Sequence, residues 1–215
     1  MNSPIGTGGP PARSTYRHGD LRRALLEAAI ELARAGGPDA VVLREATRRA
    51  GVVPNAAYRH FASRQALLQA VRAAALAAVA GAMEAELAAL RPASLSPATL
   101  ARASLRAVGT GYLRFAQAET GLFRTAFAVP VDVPAGADKG PHSGLNPFEL
   151  LGAALDRMVA TGVLPPARRP GAEYLAWSAV HGLAMLVIDG PLRRLTRVQM
   201  AGLGQRVIDM VEQGL

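Results

Sequence analysis

Residues 42–61 read VLREATRRAGVVPNAAYRHF. The spacing predicts a short helix over Leu43–Ala50, a tight turn at Gly51, and a second short helix over Pro54–His60. Two short helices joined in this way form a helix-turn-helix, which lays its second helix in the major groove of DNA. Gly51 supplies the positive φ that the turn needs at no steric cost. The helices pack closest near Thr47, where a small side chain is wanted, and Ala46 and Ala50 are small as well. Val52 and Val53 close the apolar seam. Asn55 and Ala56 sit at the groove-facing start of the second helix. Asn can pair with adenine through two hydrogen bonds, and Ala can contact a thymine methyl. Tyr58, Arg59 and His60 lie nearer the phosphates. Arg44 and Arg64 stand at helix N-termini, where backbone N–H groups already favour an anion. With Val53 and Pro54 at the entry to the second helix, these residues form the candidate DNA contact surface. A solvated helix face is the competing reading for each arginine. Phe61 reads as core.

Charge is concentrated around this stretch. From Arg13 to Arg72 there are eleven arginines and no lysine against five acidic residues. The remainder of the chain is close to neutral, although the total is +8. A basic head on a nearly neutral body suits a polyanionic partner at one end. Ala and Leu are abundant, aromatics are few, and no β-branched run alternates with period two, so the expected fold is all-α with about nine helices. There is no cysteine, hence no disulfide or thiolate metal site, which fits the cytoplasm. The first ten residues lack the order of a secretory signal. The longest apolar run, Tyr174–Ile188, has 15 residues, and a bilayer takes about 20, so no membrane segment is expected.

Residues 1–15 read as a disordered Gly/Pro-rich arm; Arg13 and Arg17 read equally as contacts to the DNA backbone or as solvated tail residues. Asp20 is expected to cap the first helix, which Gly36, Gly37 and Pro38 end. Ser63 should cap a long helix from Arg64 to about Leu90, roughly 40 Å at 1.5 Å per residue, linking the head to the rest. Further helices are expected over Pro97–Ala118, Gly121–Ala128, Phe148–Thr161, Gly171–Asp189 and Thr196–Gln213. Residues 129–147 form a long Pro/Gly-rich loop. The expected division is a DNA-binding domain over 16–72 and a ligand-binding and dimerisation domain over 73–215.

Residues 174–192, YLAWSAVHGLAMLVIDGPL, are apolar on every side of a helix. Such a helix must be buried all round, one face on its own domain and another on a partner. Leu183 and Val187 of this segment, with Met200, Leu203, Val207, Met210 and Val211 of the last helix, are the candidate homodimer interface, two helices from each copy about a two-fold axis. Met83, Tyr112, Phe115, Phe123, Phe127, Trp177, His181 and Met185 are candidate linings of a pocket for a small hydrophobic ligand, although core packing explains each equally well. Trp177 and His181, four apart, share a helix face. His181 bonds either a buried carbonyl or a ligand.

The strings LREATRRAGV and AAYRHFASRQALL, with the preceding Gly19–Leu32 helix, resemble the DNA-binding domain of the TetR family of transcriptional regulators. The Tyr58-Arg59-His60-Phe61 tetrad followed by Leu67-Leu68 is its most specific element. The Trp177-x-x-x-His181-Gly182 pattern resembles the WHG-type subgroup over roughly residues 90–215. The resemblance implies a dimer of all-helical subunits with three-helix heads, and repression of a palindromic operator relieved by a small ligand. Three positions depart from the family pattern. Val42 and Val53 stand where a capping Ser or Thr is usual, and Thr47 where Ala is usual; Arg64 in place of Lys keeps the charge. The alternative reading is therefore a ligand-binding helical dimer with weak or lost DNA binding. An enzyme is not expected. His18, His60, His142 and His181 have no His or carboxylate partner at helical metal-site spacing, and no nucleophile elbow is present. No cofactor and no metal are expected.

Overall fold

The computed structural model describes residues 18–128 and 138–215, and every regular element among them is helical. In order these are α1 (His18–Gly36), α2 (Leu43–Arg49), α3 (Pro54–Ala57), α4 (Arg64–Ala88), α5 (Pro97–Ala118), α6 (Thr120–Ala126), α7 (Pro147–Ala160), α8 (Ala172–Ile188) and α9 (Arg197–Gly214). The arm with Arg13 and Arg17, and the centre of the loop between α6 and α7, lie outside the described residues.

Helix starts follow local chemistry. Ser63 accepts a hydrogen bond from the Ala66 N–H at 3.1 Å to open α4, and Ser96 accepts from Thr99 at 3.2 Å to open α5. Asn146 with Glu149, and Thr196 with Gln199, form reciprocal capping boxes on α7 and α9. An expected start and an expected end move. α1 already includes His18, so Asp20 lies inside the helix rather than at its cap. α3 is a single turn that ends at Ala57, and residues 58–60 continue as hydrogen-bonded turns, not as helix to His60.

α1, α2 and α3 enclose a small core of Leu25, Ala29, Val41, Leu43, Ala46, Ala57 and Phe61, which Leu67 at the start of α4 completes. α4 then runs on for 25 residues into the larger bundle, where it packs against α5, α6 and α7. By length and composition α4 is long and apolar enough to cross a membrane, which the sequence reading did not expect. Here it is the central helix of the bundle, with Val71, Val79, Ala80 and Met83 buried among its neighbours.

α4 also carries a buried carboxylate, Glu84. It accepts the backbone N–H of Ser143 at 2.7 Å and of His142 at 3.2 Å, and the Ser143 hydroxyl. Burial alone would raise its pKa, but these donors outweigh burial and hold it below the usual carboxylate value. The segment leading into α7 is thereby fixed to α4.

Head and body also meet where α6 crosses the end of α1. A Cβ on Gly121 would lie 2.2 Å from the Ala33 carbonyl oxygen and 2.4 Å from that of Arg34. Only a glycine allows this approach. Arg34 donates to Glu119 at 2.7 Å across the same joint. Gly121→Ala should therefore cost about 1–3 kcal/mol through overpacking. Gly152→Ala, whose Cβ would find only an arginine side-chain tip at 3.7 Å, should be neutral or gain about 0.5–1 kcal/mol. Chemical denaturation followed by circular dichroism reads both, and equal stability of the two variants would contradict the account of the joint.

Candidate nucleic-acid interface and ligand cavity

The turn between α2 and α3 is held by its backbone. Gly51 has φ 68°, as expected, and a Cβ there would meet nothing within 4 Å, so the dihedral angle, not crowding, calls for glycine. The Val52 N–H donates to the Thr47 carbonyl at 3.1 Å and the Gly51 N–H to the Arg48 carbonyl at 3.3 Å. This pair of bonds is the Schellman motif that closes a helix end. The Thr47 side chain is buried, and its hydroxyl donates to the Arg44 carbonyl at 2.7 Å. Val42 gives α2 no side-chain cap. Val53, ahead of α3, is 69% exposed.

Arg44, Val53, Asn55, Tyr58 and Arg59 are exposed, while Ala56 and His60 are partly so. Pro54 is the first residue of α3. Among the described residues neither Arg44 nor Arg59 forms an ion pair. Arg48 and Arg49 both bond Glu45; the Arg48 bond is the larger cause that draws the Glu45 carboxyl down to about 2. Arg64 sits differently from expectation. Its guanidinium donates to the carbonyls of Val41 at 2.7 Å and Pro38 at 2.9 Å, so it ties the α1–α2 connection to the start of α4. Phe61 is buried as expected, with the Arg22 guanidinium 5.1 Å above its ring.

A cavity of about 220 Å³ lies between α4, α5, α7, α8 and α9. Of the expected lining residues, Met83, Tyr112, Phe127 and Trp177 border it. Phe115 and Phe123 are buried core instead, Met185 packs against that core, and His181 stands behind Tyr112. The rest of the wall is Leu76, Leu105, Val108, Gly109, Pro147, Leu151, Ala176, Val180, Ile208 and Val211, with Arg72, Asp138, Asn146 and Phe148 also bordering it. These aliphatic residues carry no sequence signal that separates a cavity wall from ordinary core. Among the described residues no three His, Asp or Glu side chains converge as a metal site would require.

Trp177, Tyr112 and His181 form one polar chain in this wall. The Trp177 Nε1–H donates to the Tyr112 oxygen at 3.1 Å, and that hydroxyl lies 2.7 Å from His181 Nδ1. Trp can only donate, so Tyr112 accepts from it, and the tautomer of His181 sets whether Tyr112 or Nδ1 donates in the second bond. Burial pushes the Tyr112 phenol up and His181 down. The partner of His181 Nδ1 is a hydroxyl 69 residues away, not a backbone carbonyl.

The proposed dimer residues divide by face. Leu183 is buried within its own subunit, and Val187 and Met200 border a small gap with Leu113 and Ala116. Val211 borders the cavity. Leu203 and Val207 are half-buried against the core, and Met210 is exposed. The apolar side chains that α8 and α9 leave in solvent are Tyr174, Leu175, Leu186, Val198 and Met210. Gly182 shares the α8 face with Leu175 and Leu186, and no atom of its own subunit lies within 4 Å of its Cβ position.

The polar chain has a pH signature. His181 binds its proton less readily when folded than at its ordinary value of 6.5, so the unfolded chain takes up more protons as pH falls. Its contribution to stability is full above pH 6.5 and is lost as pH drops through the lower, folded value. The stability difference between wild type and His181→Gln should therefore shrink between pH 7.5 and 5 in thermal melts. A difference that stays constant would mean that His181 is not held neutral.

Residues 25–71 match the bacterial regulatory proteins of the tetR family, and residues 105–211 match the tetracyclin repressor-like C-terminal domain. Neither match separates out the WHG-type subgroup. No curated protein matches the chain. Among solved structures, a protein of unknown function from Rhodococcus sp. RHA1 is 26% identical with a TM-score of 0.73, over 94% of this chain and 99% of that one. The TetR family transcriptional regulator PfmR from Thermus thermophilus shares the fold at 19% identity and TM-score 0.58, over 89% and 95% of the two chains. A putative tetR family transcription regulator from Shewanella sp. PV-4 does so at 17% identity and TM-score 0.59, over 90% and 96%. With both halves of the chain matched in their expected order, the protein belongs to the TetR family and is a DNA-binding transcriptional regulator.

Proposed function

We propose that the protein is a homodimeric repressor, released from a palindromic operator when a small hydrophobic molecule occupies the cavity. The observation that carries this reading is the course of α4. The same helix supplies Leu67 to the core of the basic head and Leu76 and Met83 to the cavity wall. Residues 16–72 act as the DNA-binding domain and 73–215 as the ligand-binding and dimerisation domain, and α4 crosses the boundary. Ligand tilts α4, changes the distance between the two heads, and lowers operator affinity through its differential affinity for the two states. Heads that read two half-sites must stand about 34 Å apart, one turn of the duplex, or a multiple of it. A regulator that meets chromosomal DNA works in the bacterial cytoplasm.

Asn55 and Ala56 read bases, and Arg44, Tyr58, Arg59 and His60 hold phosphates. Val53 and Pro54 border the contact. Arg64 acts mainly by fixing the loop that carries α2. The exposed apolar residues of α8 and α9 pair with their copies, so Leu175, Leu186, Val198 and Met210 take over the interface role from Leu183, Val187 and Met200. The uncapped α2 and the exposed Val53 favour a second reading, a ligand-binding dimer with weak DNA affinity.

Fluorescence anisotropy against the region upstream of the protein's own gene separates the two readings. Binding should weaken steeply with salt, through counterion release. Tyr58→Ala should weaken binding to all duplexes alike. Asn55→Ala should mainly relax sequence preference, with a loss of about 1–3 kcal/mol confined to one base pair. Equal affinity of both variants for every duplex would contradict these roles, and no binding even at low salt would favour the second reading.

Leu186→Arg places a charge on the exposed α8 face and should convert the dimer to monomers in sedimentation velocity. An unchanged sedimentation coefficient would move the interface elsewhere.

A further inference from the structure

The aromatic rings at the cavity have already satisfied one another's polar groups. Trp177 spends its N–H on Tyr112, and the Tyr112 hydroxyl is paired with His181 Nδ1. Engaged with one another, these groups offer a ligand mainly ring surface. Phe148 and Phe127 add two more rings, 5.8 Å and 6.2 Å from Trp177. Offset and edge-to-face contact with a flat guest suits such a group.

Size sets a second limit. An apolar cavity of about 150 Å³ holds one benzene ring, so the 220 Å³ here takes a guest only slightly larger. A long flexible chain would have to coil to enter, losing rotamer freedom.

Charge sets the third. Among the described residues, the ionisable side chains bordering the cavity that do not belong to the aromatic chain are Arg72 and Asp138, of opposite sign, and the Arg72 Nε–H is engaged with the Ala126 carbonyl at 3.0 Å. A charged guest would give up its hydration to a wall with no net counter-charge. Asn146 accepts the Glu149 N–H through Oδ1 at 2.9 Å, which leaves its amide N–H as a donor. With Asp138 as an acceptor, this suits one hydroxyl or carbonyl on the guest.

Building on the regulator reading, we propose that the effector is a compact, uncharged aromatic molecule of one or two fused rings bearing a single hydrogen-bonding group. Calorimetry on the full-length protein tests this with 2-naphthol, 2-naphthoate, naphthylmethylammonium and 1-decanol. The first three share a ring system and differ in charge; the fourth is uncharged but flexible. 2-Naphthol should bind one molecule per subunit, at least tenfold more tightly than the other three. It should also change the emission of Trp177, the single tryptophan of the chain. Equal or tighter binding of either charged analogue or of decanol, or no binding of any probe, overturns the proposal.

Val180→Phe fills the cavity and should weaken 2-naphthol at least tenfold. If that variant lacks a cooperative melt, Ala176→Val takes its place. Wild-type affinity in the filled variant would put the guest elsewhere and likewise overturn the proposal. Operator binding of ligand-free wild type, measured on the same sample, keeps the two readings apart. Operator binding without naphthol binding sinks only the ligand class, whereas loss of operator binding sinks the regulator reading.

Discussion

Leu67, Val71, Val79 and Met83 lie along one side of α4 and are almost wholly withdrawn from water. Burying side chains of this size is worth about 1.5–3 kcal/mol each. The exposed ion pairs on the same surface, such as that of Arg114 with Glu86, contribute about 0–1 kcal/mol. Burial therefore fixes where α4 sits, and the rest of the molecule is arranged on it. The head closes on Leu67 at one end. Toward the other, Glu84 holds the approach to α7 through backbone and side-chain donors. Removing those donors would strand a buried charge, so the segment before α7 moves with α4 or not at all.

That arrangement bounds how a cavity can speak to a DNA-binding head. A ligand shifts an equilibrium only by its difference in affinity for the two states. Weakening operator binding a hundredfold takes about 2.7 kcal/mol of that difference. Two physical routes connect the cavity to the head. One is α4 itself, through Leu76 and Met83. The other is α6, whose neighbour Phe127 borders the cavity, whose Ala126 carbonyl accepts from Arg72 of α4, and whose Gly121 lies against the end of α1. Both routes end at the same three-helix core. A rigid shift of α4 and α6 together would therefore carry the head as one body.

Much of the architecture was legible in the sequence because it is decided locally. Ser63 and Thr196 mark helix starts through bonds made within one turn, Pro97 through its fixed φ at the first helical position, and Gly51 a turn through its own dihedral angle. The features that escaped depend on distant partners. The bonds of Arg64 to the carbonyls of Val41 and Pro38, 23 and 26 residues away in sequence, carried no local signal. His181 found Tyr112 on another helix. α8 defeated the choice of faces for a related reason. It is apolar all round, so periodicity could not tell the side meeting its own subunit, with Leu183, from the side left open, with Leu175 and Leu186. α3 ended early because Ala57 and Phe61 anchor it from within, and that constraint is tertiary, not a matter of helix propensity.

The same division between local and tertiary forces decides how much weight the missing caps carry. A lost N-cap hydroxyl costs roughly 1 kcal/mol, and α2 and α3 each lack one. Against this stand the buried side chains of Leu43, Ala46, Ala57 and Phe61, the paired Schellman bonds at Gly51, and the two carbonyl bonds of Arg64. The geometry of the head rests on these, none of which needs a hydroxyl at position 42 or 53. What position 53 changes is the exposed surface, where Val53 presents methyl groups rather than a hydrogen-bonding hydroxyl. Valine at 42 and 53 therefore leaves intact the framework that carries Asn55 and Tyr58, whose side of the head stays exposed.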